Sequence, residues 1–213
     1  MTAEASTPEA ASSGSGALTA ITPITLNGRL VRLEPLSRDH HDDLTAAVRD
    51  GELWKLWYTS VLSPEEMRAE IDRRLALQAQ GTMLPFAARR VSDGKMVGMT
   101  TYMNIDAALP RLEIGATWTA ASAQGSGINA ESKLLLLEHA FETLRCVAVE
   151  FRTSWHNHQS RAAIARLGSR QDGALRNMPD RGEQAVRDVV VFSILPHEWP
   201  SVRAGLQHRL ASR

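Results

Sequence analysis

A glycine-containing loop between a strand-like segment and a helical segment constrains this chain more than any other feature. Residues 124–129 read Gln-Gly-Ser-Gly-Ile-Asn and lie between a predicted strand at 111–119 and a predicted helix at 131–144. Where a turn of small residues opens a helix, several backbone N–H groups lack intrahelical partners and lie at the positive end of the helix dipole. We therefore predict an anion-binding site at this turn, most naturally for phosphate.

The residues around the glycines distinguish between kinds of phosphate site. A P-loop places Lys and then Ser or Thr directly after its last glycine, whereas Ile128 and Asn129 follow Gly127. Hydrolysis of a nucleoside triphosphate is therefore disfavoured. A dinucleotide-binding fold carries such a loop after its first strand and an acidic residue about twenty residues further on. Glu150 lies near that spacing, but a β-meander is predicted before the loop, so we set this alternative aside. A helix-opening turn that binds no ligand remains open.

The first half of the chain has the patterns of an antiparallel sheet with two helices. Residues 29–33 alternate apolar and charged side chains as a strand does, and a helix is predicted near 39–48. Ser63, followed by Pro, Glu and Glu, is a typical helix start with a serine cap and an acidic first turn. Strands predicted at 86–91 and 96–103 flank the sequence Ser-Asp-Gly-Lys, which is a strong hairpin signal.

After the glycine loop, helical and strand-like segments alternate. Apolar residues recur at helical spacing over 134–144 and predict a buried helix face. An apolar strand is predicted at 147–151, a second helical segment ends near Gly168, and a short helix follows Pro200. Together with the first half, these patterns predict one mixed α/β domain from residue 23 to residue 213.

Composition disfavours several classes of function. The 213-residue chain is 43% hydrophobic, and its 24 basic residues balance its 24 acidic residues, so no strong field favours nucleic acid or an anionic membrane. Residues 1–22 lack Lys and Arg and are rich in small residues, which indicates a disordered tail rather than a signal peptide. Cys146 is the only cysteine, which excludes an internal disulfide or a multi-cysteine zinc site and favours a reducing cytoplasm. We expect it to be a buried apolar residue, and we predict no metal site.

The loop at 124–129 resembles the phosphate loop of the GNAT N-acetyltransferases, Arg/Gln-x-x-Gly-x-Gly/Ala, with Asn129 in place of the final small residue. Three further sequences resemble the RimJ/RimL-type branch of that family: Arg-Leu-Glu-Ile-Gly at 111–115, Asn157-x-x-Ser160, and Arg-Asp-Val-Val-Val-Phe-Ser at 187–193. Members of that branch acetylate protein N-termini or small amines. The resemblance covers roughly residues 26–205 and is specific because several short motifs occur in one order.

The resemblance implies the GNAT fold, which has a mixed α/β architecture. Its central twisted sheet would be mostly antiparallel, with about seven strands that splay between the fourth and the fifth, flanked by helices. Acetyl-CoA would lie in that gap, between the strands at 113–118 and 147–151, where its pantetheine amides would pair with exposed backbone. The implied cofactor-binding residues are Gln124, Gly125, Ser126, Gly127, Ile128 and Asn129 for the pyrophosphate, Trp118 and Thr119 for the thioester carbonyl, and Asn157 and Ser160 for pantetheine and the sulfur.

Transfer of an acetyl group to an amine needs a base, a polarised thioester carbonyl and an acid for the departing thiolate. The resemblance makes Glu113 the candidate base, and a strand carboxylate paired with a neighbouring Arg is an equal alternative. Many family members carry a tyrosine acid where this chain has Ile164. Ser160 stands near the sulfur in the RimJ/RimL pattern and is the candidate acid, but we favour a second role, in which it caps the helix that starts there.

Three aromatic residues, Trp54, Trp57 and Tyr58, lie between the first two predicted helices, a region that walls the acceptor site in the family. They would stack on an acceptor or hold its cation, or else cover the core. We predict an acetyl-CoA-dependent amine N-acetyltransferase that works by direct attack in a ternary complex, with homodimerisation as an open option. The alternative is a non-catalytic acyl-CoA-binding or sensing module, which the departure at Ile164 keeps open.

Overall fold

A computed structural model describes residues 21–179 and 186–212 of the chain. The predicted disordered tail, residues 1–22, lies outside the described residues except for its last two positions. One of these, Ile21, is partly buried and packs against the main hydrophobic core.

A single twisted sheet forms the centre of the molecule, and the described residues contribute eight strands to it, in the order β1-β2-β3-β4-β5-β6-β8-β7. Neighbouring strands are antiparallel except for β5 and β6, which are parallel. The strands are β1 Leu26–Asn27, β2 Val31–Pro35, β3 Met83–Arg90, β4 Met96–Asp106, β5 Arg111–Thr119, β6 Ala148–Ser154, β7 Arg170–Pro179 and β8 Val186–Ile194.

Five α-helices cover the two faces of the sheet in the described part of the chain: α1 His41–Arg49, α2 Met67–Ala79, α3 Ile128–Glu138, α4 His158–Ala165 and α5 Trp199–Ala211. Helices α1 and α2 pack on one face around Leu44, Met67 and Ile71. Helices α3 and α5 pack on the other face, where Leu136 and Leu206 belong to the larger core. None of the described helices is long and apolar enough to cross a membrane.

The ends of the helices follow the residues that the sequence offers for capping. The predicted serine cap before α2 is present and forms a capping box, in which the Ser63 N–H donates to Glu66 Oε2 at 2.9 Å and the Glu66 N–H donates to the Ser63 side chain. Helix α3 starts at Ile128, three residues before the predicted start, because Gly127 precedes it in a left-handed conformation with φ 98°. After Glu138 the helix continues as a π-helical turn, His139–Thr143.

The parallel pair β5 and β6 is joined only at its beginning. Three registered pairs, Arg111 with Ala148, Leu112 with Val149 and Glu113 with Glu150, precede the point where the strands separate. On its other side β5 stays paired with β4, with a bulge in which Ala116 has a left-handed φ of 46°. The second half of β5 therefore has one side open.

The turn between β1 and β2 is fixed to α3 by one buried carboxylate. Glu131 accepts three backbone N–H groups, from Arg29 at 3.1 Å, Leu30 at 2.6 Å and Val31 at 2.9 Å. A side chain at Gly28 would collide with this carboxylate. The Glu131 side chain is thus bound to the β1–β2 turn, and its charge is not directed at the glycine loop, where it would repel an anion.

We predict that Glu131→Ala lowers the free energy of unfolding by about 3 kcal/mol, because it leaves three main-chain donors without an acceptor. The measurement is urea denaturation followed by circular dichroism. The control is Glu138→Ala, which removes a more exposed ion pair with Arg203 from the same helix and should cost less than about 1 kcal/mol. Equal losses in the two variants would contradict the role of Glu131 as the anchor of the turn.

Candidate active site

The glycine loop joins the open end of β5 to the start of α3. Gly125 and Gly127 have φ values of 72° and 98°, which favour glycine, and a side chain at Gly125 would meet no atom within 4 Å. The first main-chain bond of the helix runs from the Glu131 N–H to Gly127 O at 2.9 Å. The N–H groups of the residues between them therefore precede the helical ladder and face the loop, as an anion site requires.

The side chain of Ser126 forms its hydrogen bonds within the loop. The Ser126 hydroxyl donates to Ala123 O at 2.6 Å and accepts the Ile128 N–H at 3.4 Å. Asn129, which replaces a small residue of the family motif, has a buried side-chain oxygen with no hydrogen-bond partner among the described residues. A buried amide oxygen of this kind is costly without a partner, so the loop has an unsatisfied polar group next to its exposed N–H groups.

Gln124 spans the mouth of the gap between β5 and α4. Its Nε2 donates to Thr119 O at 3.0 Å, and its Oε1 accepts from Gln159 Nε2 at 3.3 Å. The glycine loop, the end of β5 and the start of α4 therefore surround one opening. The predicted pyrophosphate residues and Asn157 lie on opposite sides of it.

The open side of β5 is defined by the direction of its backbone groups. The Ala120 N–H donates to Val97 O on β4 at 2.8 Å, whereas Thr119 O accepts from Gln124 on the other side. Because these directions alternate along a strand, the backbone of Thr119 faces the gap and that of Trp118 faces β4. The carbonyl of Trp118 lies so close to Gly98 that a side chain there would collide with it. Of the two residues predicted to polarise the thioester carbonyl, only Thr119 has the required direction, and the Trp118 side chain is buried in the core below α1 and α2.

Helix α4 begins beside the same opening, and its cap differs from the prediction. Asn157 Oδ1 accepts the Ser160 N–H at 2.9 Å, so Asn157 is the cap and Ser160 lies in the first turn. The prediction that Ser160 caps this helix is wrong, because the cap lies three residues earlier, at Asn157. Ile164, one turn after Ser160, is buried in the main core. At the position of the family tyrosine, this chain therefore has an apolar side chain that packs in the core.

Glu113 lies at the last registered pair of β5 and β6, where the gap begins. Its carboxylate is 5% exposed, accepts a hydrogen bond from Asn104 Nδ2 at 2.7 Å and lies 3.5 Å from Arg152 Nε. Burial raises the pKa of Glu113 above its ordinary value, against the opposing effects of Arg152 and Asn104. Both alternatives from the sequence are thus present together: Glu113 has a neighbouring Arg, and it is also a carboxylate with a raised pKa beside the gap.

Two buried cations contact the bulge of β5, and the sequence patterns did not identify them. Arg74 on α2 donates to Ala116 O at 3.1 Å, and Lys133 on α3 donates to Thr117 Oγ1 at 2.9 Å. Burial lowers the pKa of Lys133 to about 7. The sequence contains a sign that Lys133 is buried: it stands four residues before the core residue Leu137, on the predicted inner face of its helix.

The predicted acceptor residues separate into two environments. Trp54 is partly buried and packs against the core beneath α1 and α2. Trp57 is 76% exposed, and its ring centroid lies 5.6 Å from that of Tyr58 and 5.0 Å from that of His156. His156 directly precedes Asn157, so these three rings lie beside the start of α4. The sequence analysis missed His156, which is adjacent to Trp57 only in the fold.

The remaining candidates lie away from this opening. Cys146 is buried, and burial raises the pKa of its thiol to about 12, as expected for an apolar role. A pocket of about 490 Å³ is lined by Arg166, Gly168, His197 and Arg209. It lies at the far end of α4 from Asn157 and is not part of the candidate site. No group of three or more potential metal ligands occurs in the described ranges.

The chain is similar to acetyltransferases in sequence. The profile of the acetyltransferase (GNAT) domain matches residues 30–170. The "Putative ribosomal N-acetyltransferase YdaF" of Bacillus subtilis (strain 168) is 32% identical over 108 residues, which are 50% of this chain and 57% of that protein. The match therefore spans little more than half the length of this curated relative.

Solved structures show the same architecture. A GCN5-related N-acetyltransferase from Brucella melitensis has a TM-score of 0.80 and 26% identity, and the alignment covers 92% of this chain and 89% of that one. Mycobacterium smegmatis RimJ in complex with CoA-disulfide has a TM-score of 0.73 and 25% identity, with 88% and 95% covered. The predicted GNAT fold is confirmed. The two-residue β1 precedes the seven longer strands, so the gap between β5 and β6 is the predicted one between the fourth and fifth of these.

We predict that Asn157→Ala lowers the free energy of unfolding by about 1 kcal/mol, because the cap of α4 is lost. Ser160→Ala is the matched control in the same turn and should change it by less than about 0.5 kcal/mol. Thermal and urea denaturation of both variants provide the measurement. A larger loss for Ser160→Ala than for Asn157→Ala would reverse the assignment of the cap.

Proposed function

This chain belongs to the GNAT acetyltransferase family, and we propose that it is an acetyl-CoA-dependent N-acetyltransferase. The acceptor is a primary amine, at a protein N-terminus or on a small molecule, and it attacks directly in a ternary complex. One observation carries the proposal: β5, whose second half is open on one side, is connected through residues 120–127 to a glycine turn at the start of α3, where unpaired N–H groups suit an anion. Strand edge and anion site together suit a ligand that has both amides and a diphosphate.

The residues at this opening fit coenzyme A. The N–H groups at the start of α3 would hold the pyrophosphate, and the open space at Gly125 leaves room for it to approach the backbone. The unpartnered side-chain oxygen of Asn129 would accept a hydrogen bond from an ordered water or from an N–H of the ligand. The backbone on the open side of β5 would pair with pantetheine amides, and Asn157 at the start of α4 would contact them as well.

The side chains around the gap supply the proton transfers. Acetyl-CoA, when bound, provides the acetyl group as a thioester that an amine can attack. Glu113, directly or through water, would take the proton of the amine, for which its raised pKa is suited. The backbone N–H of Thr119 would polarise the carbonyl, and the hydroxyl of Ser160 would give a proton to the sulfur. Ile164 cannot do so, because it is buried and apolar.

The acceptor would enter past Trp57, Tyr58 and His156. The rings of Trp57 and Tyr58 can hold an ammonium group before its proton is removed. The name of the Bacillus subtilis relative, a ribosomal N-acetyltransferase, supports a peptide N-terminus of a ribosomal protein as the acceptor. A cytoplasmic location and a homodimer accord with this proposal and remain predictions.

A second candidate is a non-catalytic acyl-CoA sensor. The pairing of Glu113 with Arg152 and the burial of Ile164 favour it, because they reduce the number of groups free for acid–base work. A sensor would bind coenzyme A at the same opening without amine-dependent turnover.

The deciding experiment measures thiol release from acetyl-CoA with N-terminal peptides and small amines, alongside calorimetric binding of coenzyme A. We expect binding and amine-dependent release. Asn129→Asp should weaken coenzyme A binding by about tenfold or more through repulsion of the pyrophosphate, while the helix dipole keeps this variant folded. Gln80→Glu makes the same change of charge at the end of α2 and should leave binding unchanged. Binding without release would favour the sensor, and absence of binding would refute both candidates.

We predict that Glu113→Gln lowers kcat/KM about 100-fold at pH 7 and progressively less towards pH 9, because free amine needs no base. In the wild type the rate should fall as the pH drops through the pKa of Glu113, which burial places above its ordinary value of 4.5. Glu150→Gln, the neighbouring carboxylate on β6, should keep the shape of the wild-type pH profile and move its acidic limb to lower pH, because the charge of Glu150 helps to raise the pKa of Glu113. An unchanged profile in Glu113→Gln would remove Glu113 from the role of base.

A further inference from the structure

The bulge of β5 is strained and is held from both faces of the sheet. Two residues of β5, Ala116 and Thr117, lie opposite the single residue Thr100 of β4. Ala116 has a left-handed φ of 46°, which costs an alanine about 1–2 kcal/mol. Such a conformation persists only when the surrounding contacts determine it.

On the face below α1 and α2, Arg74 provides these contacts. Its guanidinium is 3% exposed, donates to Thr101 Oγ1 at 2.6 Å and to Ala116 O at 3.1 Å, and forms an ion pair with the buried Glu70 at 2.8 Å. The bulge carbonyl therefore has a fixed charged donor.

On the opposite face, Lys133 reaches the same bulge from α3. Its amine is buried and donates to Thr100 Oγ1 at 3.2 Å and to Thr117 Oγ1 at 2.9 Å. The two hydroxyls lie 2.8 Å from each other, and Thr117 Oγ1 also bonds to Gly115 O at 3.3 Å. The hydroxyl partners are neutral, which accords with the lowered pKa of this lysine.

The bulge decides which backbone groups of β5 face the gap. Because two residues occupy the space of one, the alternation of side chains and peptide groups shifts between Gly115 and Thr117. Thr117 is solvent-exposed, although its hydroxyl is bonded to the buried Lys133. A movement of the Thr117 hydroxyl would therefore move the strand edge that leads to Thr119.

We propose that Lys133 and Arg74 are positioning residues for acyl transfer, which clamp the β5 bulge so that the strand edge at Thr117–Thr119 is aimed at the acyl group. Neither residue would touch the cofactor or the acceptor. This inference rests on the proposed function, because it assigns the clamp to the same opening. It concerns the rate of the chemical step rather than the binding of the pyrophosphate.

The test uses Lys133→Met, which keeps the length of the side chain, and Thr117→Val, which keeps its shape and removes the hydroxyl. We expect kcat to fall about tenfold in each variant, with the coenzyme A affinity from calorimetry changed less than twofold. The double variant should fall no further than the worse single variant, because both changes break one contact.

Tyr102→Phe is the matched control for general destabilisation. The Tyr102 hydroxyl lies in the same core and donates to Leu136 O of α3 at 2.6 Å, rather than to a residue of the bulge. This variant should lose stability and keep kcat within about twofold. If Lys133→Met fails to fold, Thr117→Val alone decides the outcome.

Two results would overturn the inference. One is a folded Lys133→Met or Thr117→Val enzyme with wild-type kcat. The other is an equal fall in kcat in Tyr102→Phe, which would show that kcat falls with the stability of the protein in every variant. A wild-type protein without amine-dependent thiol release would refute the proposed function itself, and the inference with it, so the two failures are distinguishable.

Discussion

The separation of β5 from β6 is the constraint on which the rest of the site depends. Three paired residues hold the strands together, and beyond Glu113 no described strand pairs with β5 on that side. An unpaired edge inside a sheet is normally a liability. Here residues 120–127 connect the end of β5 to the start of α3, so that the edge and the proposed anion site are neighbours in the chain. The proposed chemistry requires this continuity, because the diphosphate and the thioester belong to one extended ligand.

Both faces of the sheet contribute to this geometry in different ways. The larger core below α3 and α5 fixes the direction of α3, and therefore of the N–H groups at its start. The smaller core below α1 and α2 buries Trp118, which keeps the second half of β5 on β4 while its other side stays open. Trp57 and Tyr58 lie outside that core, beside His156, where an acceptor would approach. Trp57 and Tyr58 come from the first half of the chain, whereas His156 and the proposed cofactor residues of the glycine loop and α4 come from the second half.

Local patterns in the sequence predicted the hairpin, the serine cap before α2 and the glycine turn, because each depends on residues close together in the chain. The resemblance to a family supplied the order of the strands and the gap. Features that depend on contacts between distant elements were not predictable in this way. The bulge at Ala116 has no glycine to mark it, and it changes which of Trp118 and Thr119 faces the gap. Asn157 and Ser160 are both residue types that cap helices well, so residue type alone did not show that Asn157 is the cap. Lys133 was overlooked because a charged residue on an inner helix face contradicts the usual pattern.

The position of Glu131 has a consequence for any shortened form of the protein. This carboxylate lies in the first turn of α3, one turn from the proposed phosphate site, yet its charge is consumed by the main chain of Arg29, Leu30 and Val31. The β1–β2 turn in this way satisfies the carboxylate that lies nearest to the proposed anion site. A shortened form without residues 21–31 would leave this negative charge unpaired one turn from the proposed diphosphate, so the residues before β2 would influence ligand affinity without contacting the ligand.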